Sequence, residues 1–340
     1  MSERLLFAED KYFLECHAST VLPLEDGTVL VVYFAGDYER ADNVAIWLSR
    51  RIDGVWQPPR KIAKVNETAH WNPVIFESDG KIRVAFRVGS TIVGWKTYSV
   101  TSEDKGETWS APVKYAVPDD VCGPVRNKPI ITSEGLMLAP NSIETHEAWH
   151  LRIDISSDGG ETFFESAPIP VNRTDATKPN YMRGPGGIQP TLWESASGCI
   201  HALLRTRENH IFRSDSTDGG RTWCEAYPTE LPGNSSGIDL ANVQGALYLA
   251  FNPTGQDWRN RTPLEIWKST DNGMTFTPFM VLEDMEMDPR NVLAPGQVDQ
   301  EGRNKSAEFS YPAIVYRNEK LYVTYTYLRR SIGYREIDIG

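Results

Sequence analysis

Ser216-Thr-Asp218-Gly-Gly220-Arg-Thr222-Trp223 is one of four near-identical segments that recur along this chain of 340 residues. The other three begin at Ser102, Ser156 and Ser269, so consecutive starts lie 54, 60 and 53 residues apart. A degenerate copy begins another 53 residues upstream, at Ser49. A unit that recurs at a near-constant period cannot bury its apolar faces alone, so its copies stack or arrange radially. The spacing therefore indicates a repeat architecture.

Each copy places an Asp two residues before a Gly and four residues before a Thr. The Asp side chain can accept hydrogen bonds from N–H groups of its own turn, and the Gly can take a positive φ, so the pair closes a hairpin. The Trp or Phe that follows anchors the hairpin. We therefore predict that these acids hold turns and take no part in chemistry: Asp104, Asp158, Asp218 and Asp271.

Between these segments the chain reads as short strands, for example 28–33, 81–86 and 320–325, and long amphipathic helical patterns are absent. Four strands in each period of 50 to 60 residues match one propeller blade. Counting blade starts predicts an all-β fold, a six-bladed β-propeller of four-stranded antiparallel blades, in a single domain over residues 1–340. We expect residues 5–8 or 12–14 to supply the last strand of the sixth blade, because ring closure removes exposed sheet edges.

A second repeat marks the start of each innermost strand, where a polar residue precedes a small residue or Pro. Because inner strands line the central channel, the six residues at this position are predicted to ring one mouth of it. They are His17, Asn72, Lys128, Gln189, Asp239 and Tyr311.

The composition excludes several classes of partner. A net charge of −11 argues against nucleic acid and anionic membranes, so an anionic substrate needs a local group of cations. The N-terminus lacks the apolar core of a signal peptide and no run of 18 apolar residues occurs, so we predict a cytoplasmic protein without a membrane partner. The sequence has no phosphate-binding Gly loop and no His/Cys cluster with metal spacing, so no cofactor or metal is predicted. It does not indicate an oligomeric state.

The repeated S/T-x-D-x-G-x-T-W/F segment resembles the Asp box, or BNR repeat, of sialidases. Residues 15 to 335 resemble the sialidase superfamily as a whole, and within it the subgroup with a Cys16-His17-Ala18-Ser19 start and a Trp71-Asn72-Pro73 second blade. The resemblance implies a carbohydrate substrate. It also implies a Tyr nucleophile beside a Glu, an Asp acid/base near the first blade, and three Arg that hold the substrate carboxylate.

The best match to these roles is Tyr311, which opens the last inner strand as the sialidase nucleophile does. Asp42, just before the strand that leads to the degenerate copy, resembles the acid/base position. Asp37 and Glu39 compete with it for that role.

Two of the three carboxylate-binding arginines have counterparts. Arg205 resembles the second, and Arg261 matches the third, although Arg259 is close enough to compete. Both guanidinium groups would bind a carboxylate in a fork geometry if they converge.

The chain departs from the sialidase pattern at two positions. His17 stands in the segment where the first Arg is expected, and Gln189 stands where the Glu that partners the nucleophile is expected. Lys128 would replace the missing positive charge, and His17 would serve as a base. Asp239 and Glu308 are spare carboxylates for a different hydrolytic route.

Three functions follow from this reading. The leading prediction is a sialidase-like, exo-acting glycoside hydrolase that removes a terminal acidic sugar from an oligosaccharide. Its catalytic residues are Tyr311, Asp42 and His17, and its substrate-binding residues are Arg205, Arg261, Lys128, Gln189, Asn72, Asp239 and Trp71. The alternatives are a uronate-directed lyase built on His17, Tyr311, Lys128 and Arg205, and a carbohydrate-binding propeller without catalysis.

Overall fold

The computed structural model describes residues 5–9, 11–115, 122–171, 186–255, 261–284 and 308–340. All regular structure in these ranges is β-strand, arranged as six antiparallel sheets that form the blades of a propeller. The predicted six-bladed fold is therefore confirmed. Within the same ranges, no helix long and apolar enough to cross a bilayer is found.

The first three blades contain thirteen strands. Blade 1 consists of β1 (Glu15–Pro23), β2 (Val29–Gly36), β3 (Ala45–Ile52), β4 (Val55–Trp56) and β5 (Arg60–Ala63), with β4 and β5 both paired to β3. Blade 2 consists of β6 (His70–Ser78), β7 (Lys81–Val88), β8 (Lys96–Ser102) and β9 (Val113–Lys114). Blade 3 consists of β10 (Ile130–Ile131), β11 (Met137–Glu144), β12 (Trp149–Ser156) and β13 (Phe164–Glu165).

The remaining blades follow the same order. Blade 4 consists of β14 (Gly187–Ala196), β15 (Cys199–Thr206), β16 (His210–Ser216) and β17 (Tyr227–Pro232). Blade 5 consists of β18 (Asp239–Val243), β19 (Ala246–Phe251), β20 (Leu264–Ser269) and β21 (Thr277–Glu283). Blade 6 consists of β22 (Phe309–Arg317), β23 (Lys320–Tyr327) and β24 (Ser331–Asp338).

The N-terminal segment completes blade 6. Leu5 forms an antiparallel bridge with Gly333, and the Leu6 N–H donates to the Ile332 carbonyl oxygen at 3.0 Å. The Ser331 hydroxyl donates to the Phe7 carbonyl oxygen at 2.7 Å. Pairing of the two chain ends covers the outer edge of β24, and of the two segments expected to do this, residues 5–8 carry the pairing.

The four Asp-box turns join the third and fourth strands of blades 2 to 5. In the third turn, the Ser216 hydroxyl donates to Asp218 Oδ1 at 2.8 Å and accepts from the Gly220 N–H at 3.0 Å. Asp218 also accepts from the Thr222 N–H at 2.9 Å and from its hydroxyl at 2.6 Å. The turns at Ser102, Ser156 and Ser269 repeat these four bonds. The carboxylates are thus occupied by their own turns.

Four inner strands carry the same β-bulge at the point where they reach the channel mouth. The antiparallel register is interrupted between His17 and Thr20 and at the equivalent positions of β6, β14 and β22. The residue in each bulge has a positive φ: Ala18 (54°), Asn72 (43°), Gln189 (53°) and Tyr311 (52°). Pro follows three of them, and its missing N–H is tolerated because the ladder is already broken there. The bulges aim side chains out of the sheets and into the channel.

Candidate functional site

A cavity of about 440 Å³ opens at the end of the channel where the inner strands begin. It brings together seven of the residues that the sequence places at the site: His17, Trp71, Asn72, Gln189, Arg205, Arg261 and Tyr311. They come from blades 1, 2, 4 and 6 and from the segment just before β20. Three of the seven, Asn72, Gln189 and Tyr311, are bulge residues, so the bulges account for that part of the convergence.

The Tyr311 phenol is bordered by guanidinium groups. The Arg205 Nη1 donates to its hydroxyl oxygen at 2.8 Å. The guanidinium carbons of Arg126, Arg205 and Arg261 lie 5.2, 5.4 and 5.3 Å from the centre of its ring. Burial raises the pKa of Tyr311, but Arg205 and Arg261 outweigh that effect and leave the pKa below its ordinary value. The arrangement favours the phenolate.

Gln189 holds Arg205 without neutralising it. Its side-chain oxygen accepts from the same Arg205 Nη1 at 3.0 Å. Arg205 is 3% exposed and forms no ion pair with any residue that the structure describes. Because an amide oxygen carries no net charge, the guanidinium keeps its full charge for the Tyr311 oxygen and for an anion in the cavity.

His17 lies beside the nucleophile candidate as a neutral imidazole. Its ring centre is 4.2 Å from that of Tyr311, and its Nδ1 is 2.8 Å from the Thr326 hydroxyl. Burial, and then the nearby Arg329 charge, hold the pKa of His17 well below its ordinary value. The imidazole is therefore neutral, and it is a weaker base than a solvent-exposed histidine.

Glu308 lies outside the cavity lining and binds two of the cavity arginines, Arg261 and Arg329. Its Oε1 accepts from the Arg261 Nη1 at 2.6 Å and from the Ser310 hydroxyl at 2.6 Å. Its Oε2 accepts from the Arg329 Nε at 2.7 Å. Burial alone would raise the pKa of Glu308, but Arg329 and Arg261 hold it well below its ordinary value. The group is a fixed carboxylate that positions guanidinium groups.

Arg329 is a cavity residue that sequence reasoning missed. It lies in the turn between β23 and β24 and lines the cavity. It connects Glu308 to the loop between β2 and β3, residues 37–44, which we call the first-blade loop; there its Nη1 donates to Glu39 Oε2 at 2.7 Å. The Arg329-Arg330 pair follows an ordinary strand, so no local pattern distinguishes it from a surface turn. Only ring closure brings it to the mouth.

Glu144 is the second residue that the sequence did not reveal. It ends β11 and lines the cavity while only 4% exposed. Its Oε1 accepts from the Ser142 hydroxyl at 2.8 Å, and its buried Oε2 has no hydrogen-bond partner within the parts of the chain that the structure describes. Burial raises the pKa of Glu144 to about 7. At neutral pH this carboxyl group is therefore protonated in about half of the molecules, whereas Glu308 is held as a carboxylate.

The first-blade loop presents Glu39 rather than Asp42 to the cavity. Tyr38, Glu39 and Arg40 line its wall, whereas Asp42 is exposed and is absent from the lining. The loop turns at Arg40, which has a φ of 88°, and the Asp42 backbone carbonyl then accepts from the Lys64 ammonium. Asp37, the other rival for the acid/base role, also lies outside the lining.

Lys128 and Asp239 lie deeper than the sequence pattern suggests, two residues beyond the mouth position. Asp239 accepts from the Ile314 N–H of the next blade, and Thr191 accepts in the same way from the Leu240 N–H. Asp239 and Thr191 are therefore equivalent positions, and Thr191 lies two residues after the bulge residue Gln189. Lys128 Nζ donates to both Asp239 oxygens at 2.9 Å. The Pro after Lys128 resembles the Pro of the other bulges, and that likeness displaces the sequence alignment by two residues.

Arg126 occupies the corresponding mouth position on the third inner segment. Its φ is 68°, and its fully buried guanidinium donates to the Ser19 and Pro312 carbonyl oxygens at 3.4 and 2.5 Å. A Cβ at Gly237 would lie 3.1 Å from the Tyr311 ring and 3.3 Å from Arg126 Nε, so the packing around this position is tight. The Arg126 side chain therefore fills the channel beneath Tyr311. Lys128 borders a separate cavity of about 570 Å³ at the opposite ends of the inner strands.

The rest of the wall is apolar on one side. Trp71 and Trp95 pack edge to face at 6.0 Å, and the Trp71 indole N–H donates to the Gly89 carbonyl oxygen at 2.7 Å. Each Trp is 2% exposed, so only an edge is available to a ligand. Arg259, the rival of Arg261, lies outside the described residues.

The cavity is a cationic exception on an acidic protein. Four arginines and two glutamates line it, and one of these glutamates is Glu144, which is largely protonated below neutral pH. The whole chain carries a net charge of −11. Such a focus of positive charge selects anionic ligands. No group of three His, Cys, Asp or Glu side chains suited to a metal ion occurs within the described ranges.

A family model described as "BNR repeat-like domain" matches residues 27–323. The chain belongs to the BNR repeat-like family. This confirms the resemblance seen in the Asp boxes. A comparison with curated protein sequences finds no match.

Solved structures share this fold at low sequence identity. The Hadza microbial sialidase Hz136 is 16% identical with a TM-score of 0.73, over 97% of this chain and 67% of that one. A protein of unknown function from Dyadobacter fermentans is 14% identical with a TM-score of 0.73, over 99% and 98%. The intramolecular trans-sialidase from Ruminococcus gnavus, in complex with oseltamivir carboxylate, is 14% identical with a TM-score of 0.66, over 99% and 97%. This member of the BNR repeat-like family thus has a sialidase-like propeller fold.

Proposed function

We propose that this protein is a sialidase-like, exo-acting glycoside hydrolase that removes a terminal acidic sugar from an oligosaccharide. The observation that carries the proposal is the environment of Tyr311, a buried phenol whose oxygen accepts from Arg205 and whose ring is bordered by further guanidinium groups. A tyrosine nucleophile needs such stabilisation because a neutral phenol is a weak nucleophile.

The remaining cavity groups suit the same reaction. Arg205 and Arg261 would bind the sugar carboxylate, and Asn72 and Gln189 offer amide groups to its hydroxyls. The edges of Trp71 and Trp95 give one apolar wall. Arg126 fills the channel beneath Tyr311, so the cavity accommodates a chain end rather than a passing chain, which favours exo action.

A uronate lyase is the second candidate, and the Gln189 substitution favours it. Without a carboxylate beside it, the Tyr311 phenolate or the neutral His17 would act as a base and remove the proton next to a uronate carboxylate. The bond to the leaving oxygen then breaks, and that oxygen takes up a proton. The product would be an unsaturated uronate.

Both candidates are tested on one panel of substrates: oligosaccharides ending in N-acetylneuraminate, in a Kdo-type sugar or in rhamnosyl-glucuronate. Released reducing sugar and the ultraviolet absorbance of an unsaturated uronate are followed together. New reducing sugar without absorbance supports the hydrolase, and absorbance that rises with cleavage replaces it with the lyase. If nothing is cleaved but a panel member binds, the protein is a carbohydrate-binding propeller and both proposals fail.

A further inference from the structure

We propose that Glu144 is the proton donor of this site: it protonates the departing glycosidic oxygen and later takes a proton from the attacking water. This inference rests on the proposed hydrolase function and assigns a catalytic role within it. The role was expected on the first-blade loop, and the structure places a different carboxyl group, from blade 3, in the wall. Its buried Oε2 has no hydrogen-bond partner among the described residues.

The other carboxyl groups and the imidazole beside the cavity are less suited to donate this proton. Glu39 is occupied by the Arg329 guanidinium, which donates to its Oε2. Glu308 accepts from two guanidinium groups and a hydroxyl, and Arg329 and Arg261 hold its pKa well below its ordinary value, so it is held as an anion. His17 is held as a neutral imidazole by burial and by Arg329. Tyr311 is committed as the nucleophile. A general acid works best when its pKa lies near the working pH, and burial raises the pKa of Glu144 to about 7.

The surroundings of Glu144 explain why its pKa is raised. Its nearest cations are Arg87 and Arg205, and neither forms an ion pair with it in the described part of the chain. The Arg87 guanidinium donates instead to the Cys122 and Gly123 carbonyl oxygens at 3.0 and 3.2 Å and to Asn141 Oδ1 at 2.7 Å. A buried carboxyl group without an ion pair has a raised pKa, because its ionisation in that environment is disfavoured.

The reaction balances with these groups alone. The Tyr311 phenolate attacks the anomeric carbon, the glycosidic C–O bond breaks, and the leaving oxygen takes its electron pair and the Glu144 proton. Water then attacks the anomeric carbon of the tyrosyl glycoside. The Tyr311 oxygen leaves as phenolate, and the proton from water returns to Glu144. Environments that keep one acid neutral and another group anionic are the usual way to assign such roles.

The test compares two glycosides of one acidic sugar, beginning with 4-methylumbelliferyl N-acetylneuraminate and sialyllactose. An aryl leaving group departs without a proton, whereas a sugar alcohol needs one. For Glu144→Gln we expect kcat/KM on sialyllactose to fall by about 10²–10³-fold, with a loss under about tenfold on the aryl glycoside. The matched control is Glu147→Gln, an exposed residue on the same hairpin, which should match the wild type on both.

Two outcomes separate this inference from the proposed function. If wild-type protein cleaves neither glycoside of any sugar in the panel, the hydrolase proposal fails and this inference fails with it. If the wild type cleaves both and Glu144→Gln loses both equally, Glu144 is a structural wall residue and only this inference is overturned. Infrared difference spectra of wild type and variant provide a check independent of turnover: a carboxylic acid band that titrates near pH 7 should belong to Glu144. Its absence would also overturn the inference.

Discussion

The Asp-box turns and the cavity wall hold carboxyl groups in opposite ways. In a box, the Asp accepts from a Ser, a Thr and a backbone N–H that all lie within four residues of it. Around the cavity, Glu39 and Glu308 accept from Arg329, which lies 290 and 21 residues away along the chain. Glu144 accepts from Ser142 on its own strand, and its other oxygen has no partner in the described part of the chain. A side chain satisfied by its own turn is structural wherever the turn lies. The carboxyl groups beside the cavity instead have distant partners or an oxygen without a partner in the described residues.

The largest expected effect on activity comes from a substitution at Tyr311. Tyr311→Phe keeps the ring contacts with His17 and the guanidinium groups and removes only the hydroxyl oxygen. We expect kcat to fall by on the order of 10³-fold or more, because the nucleophile is lost. The thermal midpoint should stay close to that of the wild type. Retention of most activity in a folded variant would make Tyr311 a wall residue.

Lys128→Met tests whether the ion pair of Lys128 with Asp239 affects stability without affecting substrate binding in the cavity. The variant leaves the buried Asp239 carboxylate without its ammonium partner, so we expect the free energy of unfolding to drop by about 3 kcal/mol. KM should not change, because Lys128 lies outside the substrate cavity. Urea unfolding and kinetics on the same preparations measure both quantities. Lys128→Met combined with Asp239→Asn should recover part of the stability, and a raised KM without destabilisation would return Lys128 to the substrate site.

Glu144→Gln tests how the ionisation of Glu144 makes the stability of the fold depend on pH. The folded-state pKa of about 7 lies above the unfolded value of about 4.3, so this group stabilises the fold at low pH and that stability is lost as the pH rises through 7. Relative to wild type, the variant should gain on the order of 2 kcal/mol between pH 5 and pH 8. Thermal melts at the two pH values measure the gain. An equal difference at both would show that Glu144 is ionised throughout.

Asp271→Ala is expected to have the smallest effect and the opposite pH dependence. Hydrogen bonds from Thr275 and Ser269 lower the pKa of Asp271 to about 2, so its contribution is present above pH 4 or so and is lost as the pH falls toward 2. At neutral pH we expect a loss of about 1–2 kcal/mol in the free energy of unfolding and no change in kcat. Near pH 2 the variant and the wild type should converge. A loss of turnover at unchanged stability would contradict the division between turn and cavity carboxylates.

The same division explains what the sequence predicts. The Asp boxes, the six blades and the closure by the N-terminal segment follow from local patterns and a period, and the structure confirms the fold. His17, Gln189 and Tyr311 are predicted to meet because a polar residue before Pro or a small residue marks the start of each inner strand, and the structure brings them together.

Other residues of the site could not be predicted from local sequence patterns. Glu144 and Arg329 lie at strand ends with no distinguishing motif, and long-range packing alone makes them cavity residues. The sequence pattern placed Lys128 at the mouth position because Pro129 follows it, as Pro follows three of the bulge residues. In the structure, Arg126 holds that position. Asp42 and Glu39 lie three residues apart on one loop, and the positive φ at Arg40 decides which of them faces the axis.

The closure of the ring also sets when this protein can first work. His17 and Thr326 meet across a separation of 309 residues, and Glu39 and Arg329 across 290. The seam between the first and last blades therefore runs through the cavity, and no growing chain holds these contacts until Arg329 has been synthesised and the ends have paired. A ribosome-bound intermediate with five finished blades would expose the Tyr311 partners without assembling the site. Activity would thus report on completion of the ring itself.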